Sequence, residues 1–212
     1  VLTEKFYLQL ATLFSGLSAL AVIALALALQ SMLVIYGALF ALILSWAYSM
    51  KPLQLSYNRL GEATIFILFG PVPVMGAHYL QTGIFPDFAS FMASIPFGLL
   101  TAAILYANEV PDYEDDKRSG KHTLANALSR GYSYIGYYAL SLLGLAFVAF
   151  NAVFNYVPSR SILALLAIVL VIKAAIVLEN FSSDKRRLVE SAKLAITIQT
   201  LVGLVLIISV VL

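Results

Sequence analysis

Residues 88–124 read FASFMASIPFGLLTAAILYANEVPDYEDDKRSGKHTL, an apolar run that ends abruptly in charge. From 88 to 107 there is no charged side chain, and a helix of about 20 such residues crosses a hydrocarbon core of about 30 Å. Between Asn108 and Lys121 the chain then carries five acids and three bases. The apolar run is continuous instead of alternating, which argues for a membrane helix and against a strand of a β-barrel.

The rest of the chain repeats this pattern. Of its 212 residues 61% are hydrophobic and 11% charged, with a mean hydropathy of +0.93, whereas soluble domains average roughly a quarter charged residues. Six further apolar runs cover 6–29, 32–48, 63–79, 132–154, 161–178 and 188–212. They are separated by the polar breaks SMKPLQLSYNR, QTGIFPD, NYVPSR and ENFSSDKRR. The expected fold is all-α: a polytopic membrane bundle of seven transmembrane helices in one domain, 1–212, embedded in the lipid bilayer. A net charge of +2 is too small to argue for a nucleic-acid partner. The absence of cysteine excludes disulfides, thiolate metal sites and cysteine nucleophiles. The chain opens on Val1 instead of Met and shows no signal-peptide cleavage pattern, so its biological start is expected upstream.

Basic residues in short loops mark the cytoplasmic side. Threading seven helices puts Lys5, Lys51, Arg59, Lys117, Arg118, Lys121, Arg130, Lys185, Arg186 and Arg187 on one face, and Arg160 alone on the other. The charged stretch therefore faces the cytoplasm in a multi-pass cell-membrane protein, and any chemistry opens inward.

Asn108, Asp112 and Asp116 are spaced i, i+4, i+8, which would align their oxygens on a continuous helix. Pro111 lacks an N–H and either kinks that helix or restarts it before Asp112; both geometries leave Asp112 and Asp116 adjacent. Two carboxylates with an amide oxygen form a hard donor set. Mg²⁺ suits it, since that ion accepts one or two carboxylates and fills its other positions with water and phosphate oxygens. A diphosphate is the natural guest, and Lys117, Arg118, Lys121 and His122 would complement its charge, with Gly120 turning the backbone. The competing reading is a solvated loop whose bases set topology and whose acids keep it soluble. The place of Asn108 and Asp112 at the end of an apolar helix favours a functional role.

NEVPDYEDDKRSGKHTL resembles the second aspartate-rich motif of the UbiA superfamily of intramembrane aromatic prenyltransferases, where an Asn, two aspartates four apart, a Gly and a Thr-Leu pair recur in this order. YNRLGEATIFILFGPVPVMGAHYLQTG, 57–83, resembles more narrowly the branch that prenylates dihydroxynaphthoate in menaquinone synthesis. The resemblance implies a nine-helix ring around a central cavity, with polyprenyl diphosphate held by Mg²⁺ at the cytoplasmic mouth and the prenyl group passed to an aromatic acceptor. It assigns Asn108, Asp112 and Asp116 to the metal and Lys51, Arg59, Asn108 and Lys121 to the diphosphate. Tyr48, Lys51, Asp112 and Asp116 become the catalytic set. The chain departs from the family in two places. It has seven spans and no first aspartate-rich motif, and VLTEKFYLQL resembles family sequence shortly after that motif, so two helices and half of the metal site are expected upstream. Tyr48 and Lys51 are three residues apart where the family has four.

The implied reaction suits these residues. Ionising an allylic C–O bond is eased by a metal that stabilises the departing diphosphate, with Lys51, Arg59 and Lys121 neutralising it. The ring faces of Tyr48, Tyr57 and Tyr106 would shield the allyl cation, although an interfacial aromatic belt explains such tyrosines equally well. Glu62 opens the third helix, where an acid is favourable for structural reasons or serves a site. Lys173 is expected to snorkel, His78 to sit at the opposite interface, and Asn180 and Asp184 to cap locally. An ion-coupled transporter of a small anionic substrate would explain Pro71, Pro73 and Pro96 as helix breaks. It leaves the acids crowded at one mouth unexplained, as does a receptor or scaffold.

Overall fold

The structure is a computed structural model that describes residues 4–180 and 184–211, the side chains of Glu4, Arg130 and Lys185 excepted. The side chains of those two bases, residues 181–183 of the last basic loop and Leu212 at the expected end of the final span lie outside what is described. Among the described residues seven helices are long and apolar enough to cross a membrane, and the chain is a multi-pass helical membrane protein. Among the described residues no β-strand forms; extended pairing is confined to one bridge, Asn58 with His122.

The chain divides into two compact units. The first, Val1–Ile43, holds α1 (Glu4–Ala28) and most of α2 (Met32–Ser49). The chain turns between them at Gln30, whose φ of 50° is left-handed, and the Ser31 hydroxyl accepts from Leu33 N at 3.2 Å to cap α2.

The second unit, Leu44–Leu212, takes the end of α2 and all later elements. The third span, read from sequence as one helix over 63–79, is two: α3 (Gly61–Phe69) and α4 (Pro71–Thr82), with Gly70 at φ −109°, ψ −93° between them. Pro71 has no N–H to continue the ladder and is suited to the first position of a new helix. Next comes α5 (Phe88–Glu109), begun by Asp87, whose carboxylate accepts from Ser90 N at 2.6 Å. That bond holds the Asp87 carboxyl below its ordinary range. The short α6 (Tyr113–Arg118) and α7 (Leu124–Ala127) follow, then α8 (Ser133–Val153), a tight 3₁₀ segment Ser159–Ala167, α9 (Ile168–Asn180) and α10 (Lys185–Val211). The span read as 161–178 is thus 3₁₀ in its first half. Asp184 caps α10, its carboxylate accepting from Arg186 N and Arg187 N.

Helix α5 is the hub and packs on α3, α4, α8 and α10. Lipid tails are as apolar as leucine, so association rests on close packing and interhelical hydrogen bonds. Gly98 lets Phe66 of α3 lie directly on α5, since a Cβ there would meet Phe66 Cδ2 at 2.6 Å. Gly136 of α8 seats the Tyr106 ring likewise, at 2.5 Å. Asn151 Nδ2 donates to Met92 O at 2.8 Å, and Gln199 Nε2 to Thr101 Oγ1 at 3.1 Å, tying α8 and α10 to α5. A cavity of about 310 Å³ lined by Ala93, Phe97, Val148 and Leu206 lies between these helices. It sits near the start of α5, about 18 Å of helix from Glu109.

Candidate active site

The site is built where two polar loops meet at the end of α5. The 50–60 loop folds on itself through Ser56 Oγ donating to Tyr48 O at 2.7 Å and Asn58 Nδ2 donating to Leu53 O at 2.9 Å. Arg59, at φ 60°, then donates its N–H to His122 O at 2.8 Å, and His122 N donates to Tyr57 O at 2.9 Å. These two backbone bonds clasp the end of the charged stretch to the start of α3. Thr123 secures the clasp from the other side, in a reciprocal cap with Asn126.

Pro111 restarts the helix. Helix α5 ends at Glu109, Asp112 N donates to Glu109 O at 3.1 Å, and Asp112 becomes the residue before α6. Asn108 and Asp112 therefore lie on either side of a turn instead of along one continuous stripe. Asp112 and Asp116 remain one helical turn apart, with Asp116 N donating to Asp112 O at 2.8 Å. Asn108 and Asp112 are exposed and Asp116 is half-buried, as is Tyr48. Lys51 and Arg59, assigned to the diphosphate, have exposed side chains on the first loop, as does His122 on the second. The Lys117 ammonium bonds the Tyr113 hydroxyl at 3.0 Å and lies 4.5 Å from that ring's centre. The hydroxyl contact holds its pKa above the ordinary lysine range.

Lys121 joins the predicted site to a part the sequence did not reveal. Gly120, at φ 74°, turns the chain so that Lys121 Nζ lies 3.2 Å from Asp116 Oδ2 and 3.4 Å from Glu109 Oε1. Burial lowers the Lys121 pKa, but the Glu109 and Asp116 carboxylates offset this and leave it raised. Glu109 is 4% exposed, and so close to buried is Glu62, at 5%, in the first turn of α3. The two acids and Lys121 lie within electrostatic reach of one another, together with Tyr48 and Tyr106. Neither carboxylate oxygen of Glu62 has a hydrogen-bond partner, nor has Glu109 Oε2 or the fully buried Tyr106 hydroxyl. Sequence reasoning weighs Glu62 between a helix-end acid and a site acid and passes over Glu109. The available signal was that Glu109 ends an apolar helix, where an acid needs a partner.

Three lesser readings can be placed. Lys173 Nζ lies 3.8 Å from Glu190 Oε1 on the neighbouring helix, with both side chains more than half exposed. His78 Nε2 lies 3.9 Å from Asp87 Oδ2, away from the clasp. Tyr57 is exposed, whereas the buried Tyr106 borders the acid pair.

The UbiA prenyltransferase family matches residues 2–207 of the chain. The chain is 35% identical over 109 residues to UbiA prenyltransferase domain-containing protein 1 of Dictyostelium discoideum, a match covering 51% of this chain and 33% of that protein. It is 37% identical over 115 residues to the Homo sapiens protein of that name, covering 53% and 32%, and 41% identical over 81 residues to the Drosophila melanogaster homolog, covering 38% and 22%. The chain thus aligns with a third or less of the length of each of these relatives. No solved structure matches it. With a family match running from the start of α1 into α10, over the same residues that build the clasp and its acids, the chain belongs to the UbiA prenyltransferase family.

Proposed function

We propose that the protein transfers a polyprenyl group from polyprenyl diphosphate to an aromatic acceptor of the dihydroxynaphthoate type, within the membrane, for quinone or related lipid synthesis. The observation that carries this reading is the clasp: it sets Asp112, Asp116 and Lys121 at the end of an apolar helix bundle, where a charged head and a lipid tail can be held together. In this reading the clasp opens to the cytoplasm, and the chain forms part of a nine-helix ring whose first two helices lie upstream.

Among the described residues no three His, Cys, Asp or Glu side chains gather into a closed metal cage. A pair of carboxylates fits Mg²⁺, which leaves most of its positions to water and phosphate oxygens. Asp112 and Asp116, with the Asn108 amide, would hold it, and the bound ion supplies stabilisation of the negative charge that develops on the departing diphosphate. Lys121 stands against Asp116 and reaches the same phosphate; Lys51 and Arg59 meet it from the opposite loop. Tyr48 borders the interior acids and offers its ring face to the allylic carbon. The bundle excludes the water that would quench the cation.

Purified full-length protein incubated with Mg²⁺, a polyprenyl diphosphate and a panel of hydroxylated aromatic acceptors is expected to yield a prenylated product identifiable by mass. Absence of product with every acceptor would refute the reading. Orientation is tested separately. With no native cysteine, a cysteine placed at Ser119 should label only from the cytoplasmic side, and labelling from outside intact cells would reverse the topology.

A further inference from the structure

Glu62 has no part in the reaction as outlined, yet it is the least provided-for acid in the second unit. It is 5% exposed, and neither of its oxygens has a hydrogen-bond partner. Its place in the first turn of α3 brings its own backbone amide and the Glu109 carboxyl within reach, but neither makes a well-formed hydrogen bond to its oxygens. The groups facing it are Tyr48 from α2, Tyr106 and Glu109 from α5 and Lys121 from the loop. Lys121 is itself engaged with Glu109 and Asp116. Burying an acid without a well-formed bond costs several kcal/mol; a proton shared with the neighbouring Glu109 offsets part of that cost, and a hydroxyl donor from a bound molecule would offset the rest.

We propose that Glu62 is the acceptor-side group: its carboxylate binds a ring hydroxyl of the aromatic acceptor and receives the hydroxyl proton as the ring is alkylated. This rests on the prenyl-transfer reading above and adds to it which group holds the acceptor and which edge of the acceptor faces inward. A second acid, Glu109, stands beside Glu62, so a carboxylate on the acceptor is repelled there and the hydroxyl edge is admitted. As the allylic C–O bond breaks, its electron pair leaves with the diphosphate. The ring carbon bonds to the allylic carbon, and the hydroxyl proton passes to Glu62, leaving a ring ketone. The alkylated carbon then loses CO2, or where it carries hydrogen gives that proton to the released diphosphate; the bonding pair returns to the ring, and the ketone oxygen takes the proton back from Glu62. The carboxylate is regenerated.

The test compares full-length wild type with Glu62→Gln and Glu62→Asp in lipid nanodiscs, measuring prenyl transfer, dihydroxynaphthoate affinity and polyprenyl diphosphate affinity separately. Glu62→Gln is expected to lose transfer by about 100-fold or more, as removal of a general base does. Its dihydroxynaphthoate affinity should fall by about tenfold, the loss for one hydrogen bond to a charged group. Diphosphate affinity should stay within about twofold, which also shows that the variant is folded, and Glu62→Asp should recover part of the transfer. The methyl ether of the acceptor gives a readout that needs no variant. Wild type should bind it as weakly as Glu62→Gln binds the free hydroxyl, and Glu62→Gln should not distinguish the two. Turnover of Glu62→Gln within threefold of wild type, equal loss of both substrates, or equal wild-type affinity for ether and hydroxyl would each overturn the proposal. Failure of wild type to prenylate any hydroxylated acceptor overturns the prenyl-transfer reading instead, before any substitution is made.

Discussion

Two pairs of acids lie at the same end of the bundle and are built on opposite principles. Asp112 and Asp116 are one helical turn apart in sequence, the first exposed and the second half-buried on the rim. Glu62 and Glu109 come from different helices and are almost wholly buried. On the proposed reading the rim pair, open to solvent at Asp112 and tied to Lys121 at Asp116, takes up a cation that keeps water and phosphate oxygens in its other positions. The interior pair has no such freedom, because a buried charge needs a donor or a cation held in place. Lys121 contacts a member of each pair, Glu109 and Asp116. On the proposed reading the difference is a division of labour: the rim acids hold the leaving group and an interior acid receives the acceptor.

The sharpest way to break this division is to neutralise one pair and read both substrates. Asp112→Asn and Asp116→Asn should each reduce prenyl transfer by about 100-fold or more, as expected when a metal's stabilisation of leaving charge is lost. Raising Mg²⁺ should recover only part of it. Diphosphate binding, measured by titration with Mg²⁺, should weaken while acceptor binding holds; weakening of both would merge the two pairs into one diffuse acidic patch.

Lys121→Met tests the connection between them. Glu109 would keep its buried carboxylate without its cation, a loss of roughly 1–3 kcal/mol for an unsatisfied buried group. Thermal unfolding in detergent should show it, and adding Glu109→Gln should restore part of the stability. A Lys121→Met variant as stable as wild type would mean that the interior pair does not need the cation.

Glu114 provides the smaller contrast, since it is exposed on α6 between the two aspartates and points about 160–200° from each at 3.6 residues per turn. Transfer by Glu114→Gln should stay within about threefold of wild type, the range usual for surface changes away from a site. A loss as large as that of Asp112→Asn would remove the assignment by helical spacing. Tyr106→Phe should matter least to stability. Its hydroxyl is buried without a partner, so removing it should shift unfolding by no more than about 0.5 kcal/mol, in either direction. A large destabilisation would show that the hydroxyl is held by a bond.

The rim was legible because its signals are local. Hydropathy marks a span within one stretch of chain, Pro111 announces a restart, and a four-residue interval brings Asp112 and Asp116 together whichever way the helix turns. The break at Gly70 was half legible: Pro71 and Pro73 were visible, but the proline alone does not say whether a membrane helix kinks or divides. The 3₁₀ stretch before α9 carried no sequence mark.

From its sequence alone this chain is determined to be a helical membrane protein with seven spans, with its charge gathered beyond the fourth of the apolar runs and its family stamped on 108–124. Those properties add up residue by residue along the chain. Only the tertiary structure decided that Lys121 turns back onto Glu109, that the two loops clasp through Tyr57, Arg59 and His122, and that Glu62 meets Glu109 inside. These contacts depend on α3 docking on α5, where Gly98 admits Phe66, and a long-range approach of that kind leaves no period in the sequence to be read.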